Sequence, residues 1–463
     1  MIAARRLQRT FADGFLADEV QDLWEPWMRN ACKALDDDQL LEVVQQELSK
    51  RFNKSKTRGR PGTTAEVVLR MLLLKHMRGW SFEDVSREVR ANIVYREFTG
   101  IGGGTVPDDK TMGRLARQLG PEAIEKLHQR TVAIALENKV IEGRKMRVDT
   151  TVVETNIHYP TDSTLMGDGV RVLIRVMKKV AGLMDGVKFQ DRSRSVKRHL
   201  LTIAYAARNK SEKGREKMKV GYGKLLAAVS RVIGQAKKFA AAIAAQCSRE
   251  DCPMLQKAKR QLDEMIPRVQ QVMKQARERV FDGNTHSEGK IASMFEPDTE
   301  VIRKGKASKP TEFGKLVKIQ EAENQIVTHC EVFESRPSDS DLLIPSIQKH
   351  SDLLGRVPAL AAADAGFFSA ANEASAKELG VKQVAVPSRS TKSEKRKQQQ
   401  KTRWFKKAQK WRTGCEGRIS VLKRRHRLNR SLYRGTHGMK RWVGLGVIAD
   451  NVINIGLHMA AKI

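Results

Sequence analysis

Cysteine is scarce in this chain of 463 residues, and most of its five cysteines lie far apart. An odd number of scattered cysteines argues against a disulfide framework and indicates a reducing compartment. Cys247 and Cys252 are close together, but no second cysteine or histidine pair follows them at the spacing of a zinc site. The cysteine content therefore predicts a cytoplasmic protein without structural disulfides.

Acidic residues are few relative to basic ones: 53 Asp and Glu stand against 86 Lys and Arg, a formal net charge of +33. Such an excess attracts polyanions, so it indicates partners rather than a fold, and DNA, RNA and anionic membrane are the candidates. Hydrophobic residues make up 40% of the chain and charged residues 30%. This balance is typical of a globular protein, and the length allows two or three domains with buried cores.

Neither a signal sequence nor a membrane span is expected. Asp13, Asp18 and Glu19 interrupt the apolar stretch that a secretory signal needs. The most apolar segment, residues 443–461, contains the polar residues Asp450, Asn451, Asn454 and His458. A membrane would bury these groups without partners, so we expect a packed helix and no membrane partner.

Helical patterns dominate residues 34–138. Helix-start signals occur at Thr63 with Glu66, at Ser81 with Asp84, at Asp108 and at Pro121. Two of the predicted helices are joined at Gly79 and Trp80 and resemble a helix-turn-helix, although any small helical bundle contains such pairs. With the net charge, this pattern predicts a helical N-terminal DNA-binding domain over residues 1–140.

Strand patterns begin near residue 144. They cover residues 146–153, a hairpin over 316–320 and 325–333, and two short runs at 359–363 and 381–386. Helices separate or follow the later strands, which predicts an α/β fold with one mixed sheet. Residues 165–283 are helical, basic and poor in Gly and Pro, so we interpret them as a helical insertion after the first strand.

Two aspartates lie in or after predicted strands. Asp149 is surrounded by β-branched residues, and Asp364 follows the apolar run 359–363. A buried unpaired carboxylate is costly, and ligand sites gather beyond the carboxyl ends of strands in open α/β sheets. Both residues are therefore candidate metal ligands. The simpler alternatives are an exposed edge or turn position for Asp149 and a helix N-cap for Asp364.

Glu416 is unusual because of its neighbours. Residues 389–430 contain seventeen basic residues and only two acids, Glu394 and Glu416. Such a stretch is either a solvated face or a phosphate-binding face. Glu416 could simply form an ion pair with Arg412 four residues earlier, which would stabilise a helix by only tenths of a kcal/mol. Metal binding is the alternative that explains an acid among so many cations.

Two aspartates and a glutamate within a cationic protein suit one class of chemistry. Cleavage of a phosphodiester and attack by the freed 3′-hydroxyl are both assisted by two divalent ions. Mg²⁺ prefers oxygen ligands, which a few carboxylates supply. The sequence shows no P-loop, no Ser/His/Asp spacing and no dinucleotide fingerprint that would indicate another reaction.

The chain resembles bacterial insertion-sequence transposases of the DDE type, closest to the ISNCY group, over most of its length. The matching blocks are residues 67–76, 79–81, 94–98, 107–109, 148–157, 304–306, 312–314, 363–367 and 414–418. The resemblance implies an RNase H-like catalytic domain over residues 141–463, interrupted by the helical insertion 165–283, behind an InsH-type N-terminal domain. It also implies a DDE triad of Asp149, Asp364 and Glu416 that binds Mg²⁺ or Mn²⁺, as two ions.

Many relatives carry a Tyr-x2-Arg-x3-Glu-x6-Lys signature around the glutamate. Arg412, Glu416 and Lys423 match it, while Gln409 occupies the tyrosine position, which puts in doubt any role of that tyrosine at the transposon end. The resemblance implies that Arg412 and Lys423 contact phosphates. The full set of predicted DNA contacts in this basic segment is Lys406, Lys407, Arg412, Arg418, Lys423, Arg424 and Arg425.

The expected function is that of a DNA transposase, which binds the ends of an insertion sequence, cleaves the strands and transfers 3′-OH ends to target DNA. Its partners would be double-stranded terminal inverted repeats and target DNA, with a homodimer in the synaptic complex, in the nucleoid of the bacterial cytoplasm. The alternatives are a metal-dependent nuclease of the same fold and a catalytically silent DNA-binding protein. An RNA-binding protein is supported by the charge alone.

Overall fold

A computed structural model describes residues 2–6, 11–20, 22–50, 62–184, 187–247, 252–303, 310–389 and 391–461. The chain divides into two compact units, one formed by Met1–Asn156 with Gly314–Ile463 and the other by Ile157–Phe313. Residues 304–306, which carry one block of the family resemblance, lie outside the described residues.

The first unit begins with helices. They are α1 (Phe11–Glu19), α2 (Met28–Leu35), α3 (Asp38–Ser49), α4 (Ala65–Arg78), α5 (Phe82–Ala91), α6 (Ile93–Phe98), α7 (Asp109–Gln118) and α8 (Pro121–Glu137). Gly79 ends α4 with a φ of 64°, a left-handed conformation that glycine adopts readily. The capping box of Ser81 and Asp84 is confirmed, as are the helix starts at Asp108 and Pro121.

The predicted capping box at Thr63 and Glu66 is wrong by one residue. Thr64 is the N-cap of α4, and its side chain accepts a hydrogen bond from the backbone N–H of Val67. Two adjacent threonines offer the same chemistry, and the backbone selects the one that directly precedes Ala65.

The strands are β1 (Lys145–Thr155), β2 (Glu300–Arg303), β3 (Thr311–Glu321), β4 (Val327–Val332), β5 (Leu360–Ala363), β6 (Gln383–Ala385) and β7 (Arg430–Ser431). In the first unit, β1 pairs antiparallel with β3, and β3 pairs antiparallel with β4. On its other side β1 pairs parallel with β5, which pairs parallel with β6. The order β4-β3-β1-β5-β6 is a mixed sheet, as predicted, and the short β7 joins the end of β1.

Five further helices complete the first unit. They are α13 (Leu343–Leu354), α14 (Ala370–Glu378), α15 (Glu394–Lys401), α16 (Arg403–Arg425) and α17 (Gly435–Ala460). Within the described residues, α17 is the one helix long and apolar enough to cross a membrane, but 72% of its most apolar window is buried. It packs against α2, α4, α8 and β4, in agreement with the predicted packed helix.

The N-terminal helices share one hydrophobic core with α17. Leu72, Leu127 and Ile453 belong to the same buried cluster. The predicted boundary near residue 140 therefore does not separate two compact units, because α8 and β1 both lie in the first one. The division into a DNA-binding and a catalytic domain stays a prediction about function.

The second unit is mostly helical. Its helices are α9 (Asp162–Val180), α10 (Ser193–Ala206), α11 (Glu212–Cys247) and α12 (Pro253–Val280). Buried side chains such as Leu173, Val229 and Val269 form its separate core. The predicted insertion 165–283 falls inside this unit, which is wider because it also includes the segments at 157–164 and 284–313.

Candidate active site

Asp149 and Asp364 leave the sheet from neighbouring strands. Val148 on β1 lies opposite Ala363 on β5 in the parallel register, and each of these residues is followed directly by one of the two aspartates. Asp149 lies within β1, while Asp364 follows the last residue of β5. The register of the sheet therefore places the two aspartates side by side, at the point where β5 ends.

Asp364 is also the N-cap of a short helix, the alternative role considered for it. Its side chain accepts a hydrogen bond from the backbone N–H of Gly366 and caps the short 3₁₀ turn Ala365–Phe367. Asp149 accepts a hydrogen bond from the backbone N–H of Thr150 at 2.7 Å, and its side chain is only 17% exposed. Backbone N–H groups thus hold both carboxylates beside the end of β5.

Arg412 on α16 connects Asp149 to Glu416. Its Nη1 lies 3.5 Å from Asp149 Oδ2, and its Nη2 lies 2.9 Å from Glu416 Oε1. The guanidinium is largely buried, with 14% of the side chain exposed, whereas the Glu416 side chain is 56% exposed. The ion pair at the i, i+4 spacing is therefore present, and the same cation also brings Glu416 into the surroundings of β1.

A fourth carboxylate, Asp339, lies beside the end of β5 and was not predicted from the sequence. Its Oδ1 accepts a hydrogen bond from Thr150 Oγ1 at 3.1 Å. A Cβ added at Gly366 would lie 3.2 Å from Asp339 Oδ2 and 3.2 Å from Asp364 Oδ1, so the two carboxylates flank this glycine. Asp339 follows no strand directly and stands among the polar residues 338–341, so no sequence pattern singles it out.

The donor chemistry beside the end of β5 suits a hard divalent ion, because Asp149, Asp339, Asp364 and Glu416 offer only carboxylate oxygens. In the ranges that the structure covers, however, no three such side chains lie close enough together to hold a metal ion. Arg412 and the backbone N–H of Gly366 engage three of the four carboxylates instead.

Two transposase families match this chain. A family described as "Transposase domain (DUF772)" matches residues 28–118, and one described as "Transposase DDE domain" matches residues 373–455. The second match includes α16 with Glu416, and the first spans α2 to α7. Together the two matches support a DDE transposase of a bacterial insertion sequence.

One curated relative is similar to this transposase. It is the uncharacterized protein ORF8 in the nfe locus of Rhizobium meliloti, 30% identical over 127 residues. The alignment covers 26% of the transposase and 61% of the relative. No solved structure matches the chain.

A buried network of ion pairs connects α16 of the transposase to the sheet and to α17. Arg147 on β1 forms a two-pronged ion pair with Glu321 on β3, with distances of 2.8 Å and 2.5 Å. Arg418 on α16 lies 3.9 Å from Glu321 and donates to both oxygens of Asp450 on α17, at 2.8 Å and 2.9 Å. Asp450 also contacts His426 Nε2 at 3.2 Å.

Burial raises the pKa of the Glu321 carboxyl, and its hydrogen bond to Arg147 acts in the opposite direction. Buried ions that are paired and hydrogen-bonded fix geometry more than they add stability. Four segments of the fold meet in these pairs, so the position of α16, and with it of Glu416, depends on them.

One predicted DNA contact, Arg418, lies within this network, and its role in DNA binding stays a prediction. Arg418 is 6% exposed, and its guanidinium faces Asp450 and Glu321 rather than solvent. The sequence could not distinguish it from its neighbours, because its two acidic partners lie 97 residues before it and 32 residues after it. Lys406, Lys407, Arg424 and Arg425 are exposed on α16, and Lys423 is half-buried.

Two residues of α16 set its distance from the sheet. A Cβ at Gly414 would collide with the Arg147 guanidinium, which also lies 4.8 Å from the centre of the Trp411 ring. Gln409, at the position of the family's tyrosine, donates to the backbone carbonyls of Ala363 and Ala385. Gln409 therefore ties α16 to the ends of β5 and β6, directly before Asp364.

Proposed function

We propose that this transposase binds the ends of its insertion sequence, cleaves the strands and transfers the 3′-OH ends to target DNA, with Asp149, Asp364 and Glu416 as catalytic residues. One observation carries the proposal. Arg412 contacts both Asp149 and Glu416, while the register of β1 with β5 sets Asp364 beside Asp149. Residues 267 positions apart in the chain thus converge beside the carboxyl end of β5.

The sheet supports an RNase H-like catalytic domain over residues 141–463. Its first three strands in this unit, β1, β3 and β4, form an antiparallel meander, and β5 and β6 add parallel strands on the far side of β1. The central strand carries the first aspartate, and a late helix, α16, carries the glutamate. The family resemblance predicts these same positions for the first aspartate and the glutamate.

Asp149, Asp364 and Glu416 would hold Mg²⁺ or Mn²⁺, as two ions, once Arg412 releases its carboxylates. Divalent ions bound there would activate the attacking hydroxyl and relieve charge on the leaving oxygen. The chain's own contribution is positional: backbone hydrogen bonds orient the two aspartates, and the buried pairs of Arg418 hold the helix that bears Glu416.

Phosphate binding is the proposed second role of Arg412. Its Nε has no hydrogen-bond partner in the part of the chain that the structure describes, although the atom is buried. A buried unpaired donor is costly, and a phosphate oxygen would satisfy it. Lys406, Lys407, Lys423, Arg424 and Arg425 on the same helix would extend this contact along the DNA backbone.

End recognition is assigned to the N-terminal region, residues 1–140, and the working complex to a homodimer that holds two transposon ends in the bacterial cytoplasm. The first assignment depends on the match to the transposase domain at residues 28–118. Deletion of this region is expected to remove the preference for end sequence more than the cleavage chemistry, in a competition assay with end and unrelated duplexes.

A cleavage and joining assay tests the proposed function. Labelled transposon-end duplex is incubated with the wild type in Mg²⁺, in Mn²⁺ and in EDTA, beside Asp149→Asn, Asp364→Asn and Glu416→Gln. Glu154→Gln is the matched control, because Glu154 lies on the same strand but pairs with Arg430 at 3.3 Å. We expect metal-dependent cutting and joined product for the wild type and the control, and intact DNA binding without cutting for the three variants.

The same assay separates the alternatives. Metal-dependent cutting without any joined product would favour a nuclease of the same fold. Tight binding without cutting in any metal would favour a catalytically silent DNA-binding protein. Loss of DNA binding in all three carboxylate variants would contradict their assignment to a metal site.

A further inference from the structure

A row of basic side chains runs along the exposed face of α11 in the second unit. Lys217, Lys224, Arg231 and Lys238 follow one another at intervals of seven residues, and all four are exposed. Seven residues are about two helical turns, so successive cations are about 10 Å apart along the axis and drift only about 20° around it. The row, which we call the α11 stripe, spans about 30 Å.

The apolar face of α11 is already covered. Leu225, Val229, Val232 and Phe239 belong to the hydrophobic core that α11 shares with α9, α10 and α12. A helix that lies on a membrane inserts its apolar face into lipid, and α11 has no such face to offer. The exposed side of this helix is therefore rich in cations and carries no continuous apolar face, although Glu212, Glu216 and Val220 near its start are also exposed.

Helix α10 widens the α11 stripe. Ile203 of α10 packs beside Gly221 of α11, and Arg194, Lys197 and Arg198 are exposed on α10. Burial lowers the pKa of His199, and the nearby cations Lys224 and Arg198 lower it further. The two basic faces are therefore neighbours, and His199 lies between them.

Few carboxylates balance this charge. Residues 192–238 contain fourteen Lys and Arg but only two acids, Glu212 and Glu216. Within the described ranges, no side chain of the α11 stripe forms an ion pair with a carboxylate, whereas α12 pairs Lys259 with Asp263 and Lys274 with Glu278. Cations without counter-charges favour a polyanionic partner.

We propose that the α11 stripe, with the adjoining basic face of α10, binds the phosphate backbone of duplex DNA without regard to sequence. Its length is close to one helical turn of B-DNA, about 34 Å, so it can follow the backbone over that distance. Lysine and arginine contacts to phosphate position a protein on DNA but carry no sequence information. The surface thus adds affinity for duplex DNA of any sequence, whereas end recognition needs contacts that read the bases.

The test is a salt titration of the full chain on a duplex that is unrelated to any transposon end, in EDTA so that no cutting occurs. The stripe variant replaces Lys217, Lys224, Arg231 and Lys238 with Gln. The matched control replaces Lys257, Lys259, Arg260 and Lys274 of α12 with Gln, so both variants lose four charges from the same unit. Circular dichroism checks that both variants keep their helices.

For the stripe variant, we expect the slope of log affinity against log salt to become shallower by about 3. Each lost phosphate contact reduces the slope by at most about 0.9, and four contacts are removed. Near 0.1 M salt, the DNA affinity of the stripe variant should fall by roughly tenfold or more, while the affinity of the control variant stays within about twofold of the wild type. Lys224→Gln alone should reduce the slope by about 1. This single variant keeps the test decisive if the variant with four substitutions misfolds.

Three results would overturn the proposal. The control could lose as much affinity as the stripe variant, which would indicate a general effect of charge. The stripe variant could keep the wild-type slope. It could also keep its DNA affinity and lose binding to vesicles of anionic lipid, which would indicate a membrane surface. Because the assay needs neither metal nor a transposon end, failure of the proposed transposase reaction would leave its outcome unchanged.

Discussion

Arg412 Nη1 lies 3.5 Å from Asp149 Oδ2, although the two residues are 263 positions apart in the chain. The same guanidinium pairs with Glu416. One cation thus neutralises two of the three carboxylates that we assign to catalysis. In this state a divalent ion must compete with Arg412 for Asp149 and Glu416.

Replacing Arg412 should therefore strengthen metal binding while weakening the interaction with DNA. We expect Arg412→Gln to lower the Mn²⁺ concentration needed for half-maximal thermal stabilisation in the absence of DNA, because the competing cation is gone. Arg424→Gln, an exposed arginine on the same helix, is the control and should leave the Mn²⁺ titration unchanged. An unchanged titration for Arg412→Gln would show that the guanidinium does not compete with metal.

Asp339 should support the active site without being essential. Asp339→Asn can still accept the hydrogen bond from Thr150 but loses the negative charge beside Asp364. Residues that orient metal ligands typically contribute roughly 10- to 100-fold, so we expect cleavage to fall by that factor rather than disappear. Asp341→Asn, exposed and two residues away, is the control. Equal activity of both variants would remove Asp339 from the site.

Arg418 should matter for stability and not directly for DNA affinity. Its removal leaves Asp450 and Glu321 buried without their cation. Breaking a buried ion pair by removing one partner costs about 3–5 kcal/mol, so Arg418→Met should lower the free energy of unfolding in urea by that amount. Arg425→Met on the exposed face should change it by less than about 0.5 kcal/mol. A small effect of Arg418→Met together with reduced DNA affinity would restore the original prediction.

Stability should fall in mild acid. Burial, with smaller contributions from the nearby Lys318 and His128, lowers the pKa of His329 from 6.5 to about 3. The unfolded chain therefore takes up the proton first as the pH falls below 6.5, so the stability contributed by neutral His329 is complete above 6.5 and is lost progressively towards pH 3. The slope is at most about 1.4 kcal/mol per pH unit for one such histidine.

Unfolding in urea at pH 7, 6 and 5 measures this effect. His329→Gln should make stability less dependent on pH over this range, whereas Gln in place of the exposed His437 should leave the dependence as it is. Parallel pH profiles of the wild type and His329→Gln would contradict the assignment of a half-buried, neutral imidazole to His329.

Local patterns in the sequence predicted the elements that local chemistry determines. Gly79, Ser81, Asp108 and Pro121 act at helix ends within a few residues, and their predicted roles are confirmed. The mixed sheet followed from strand patterns of ordinary length. The two-residue strand β7 was not predicted, because its pairing depends on the end of β1 and not on its own sequence.

Long-range partners account for what was missed at the site. Arg418 resembles the other basic residues of α16 until Asp450 folds against it. Asp339 becomes a neighbour of Asp364 only when residues 338–342 fold beside the turn that follows β5. Gln409 departs from the family signature, and only the structure shows that it binds the carbonyl groups of two strand ends.

The most direct test of the central claim replaces the carboxylate of Asp364 by a thiolate and compares two metals. Thiolate is a poor ligand for the hard ion Mg²⁺ and a better one for Mn²⁺. If Asp364 holds a catalytic ion, Asp364→Cys should fail to cleave a transposon end in Mg²⁺ and recover cleavage in Mn²⁺, while Asp364→Ala fails in both. Equal cleavage by Asp364→Cys in the two metals, or recovery of Asp364→Ala in Mn²⁺, would contradict the account.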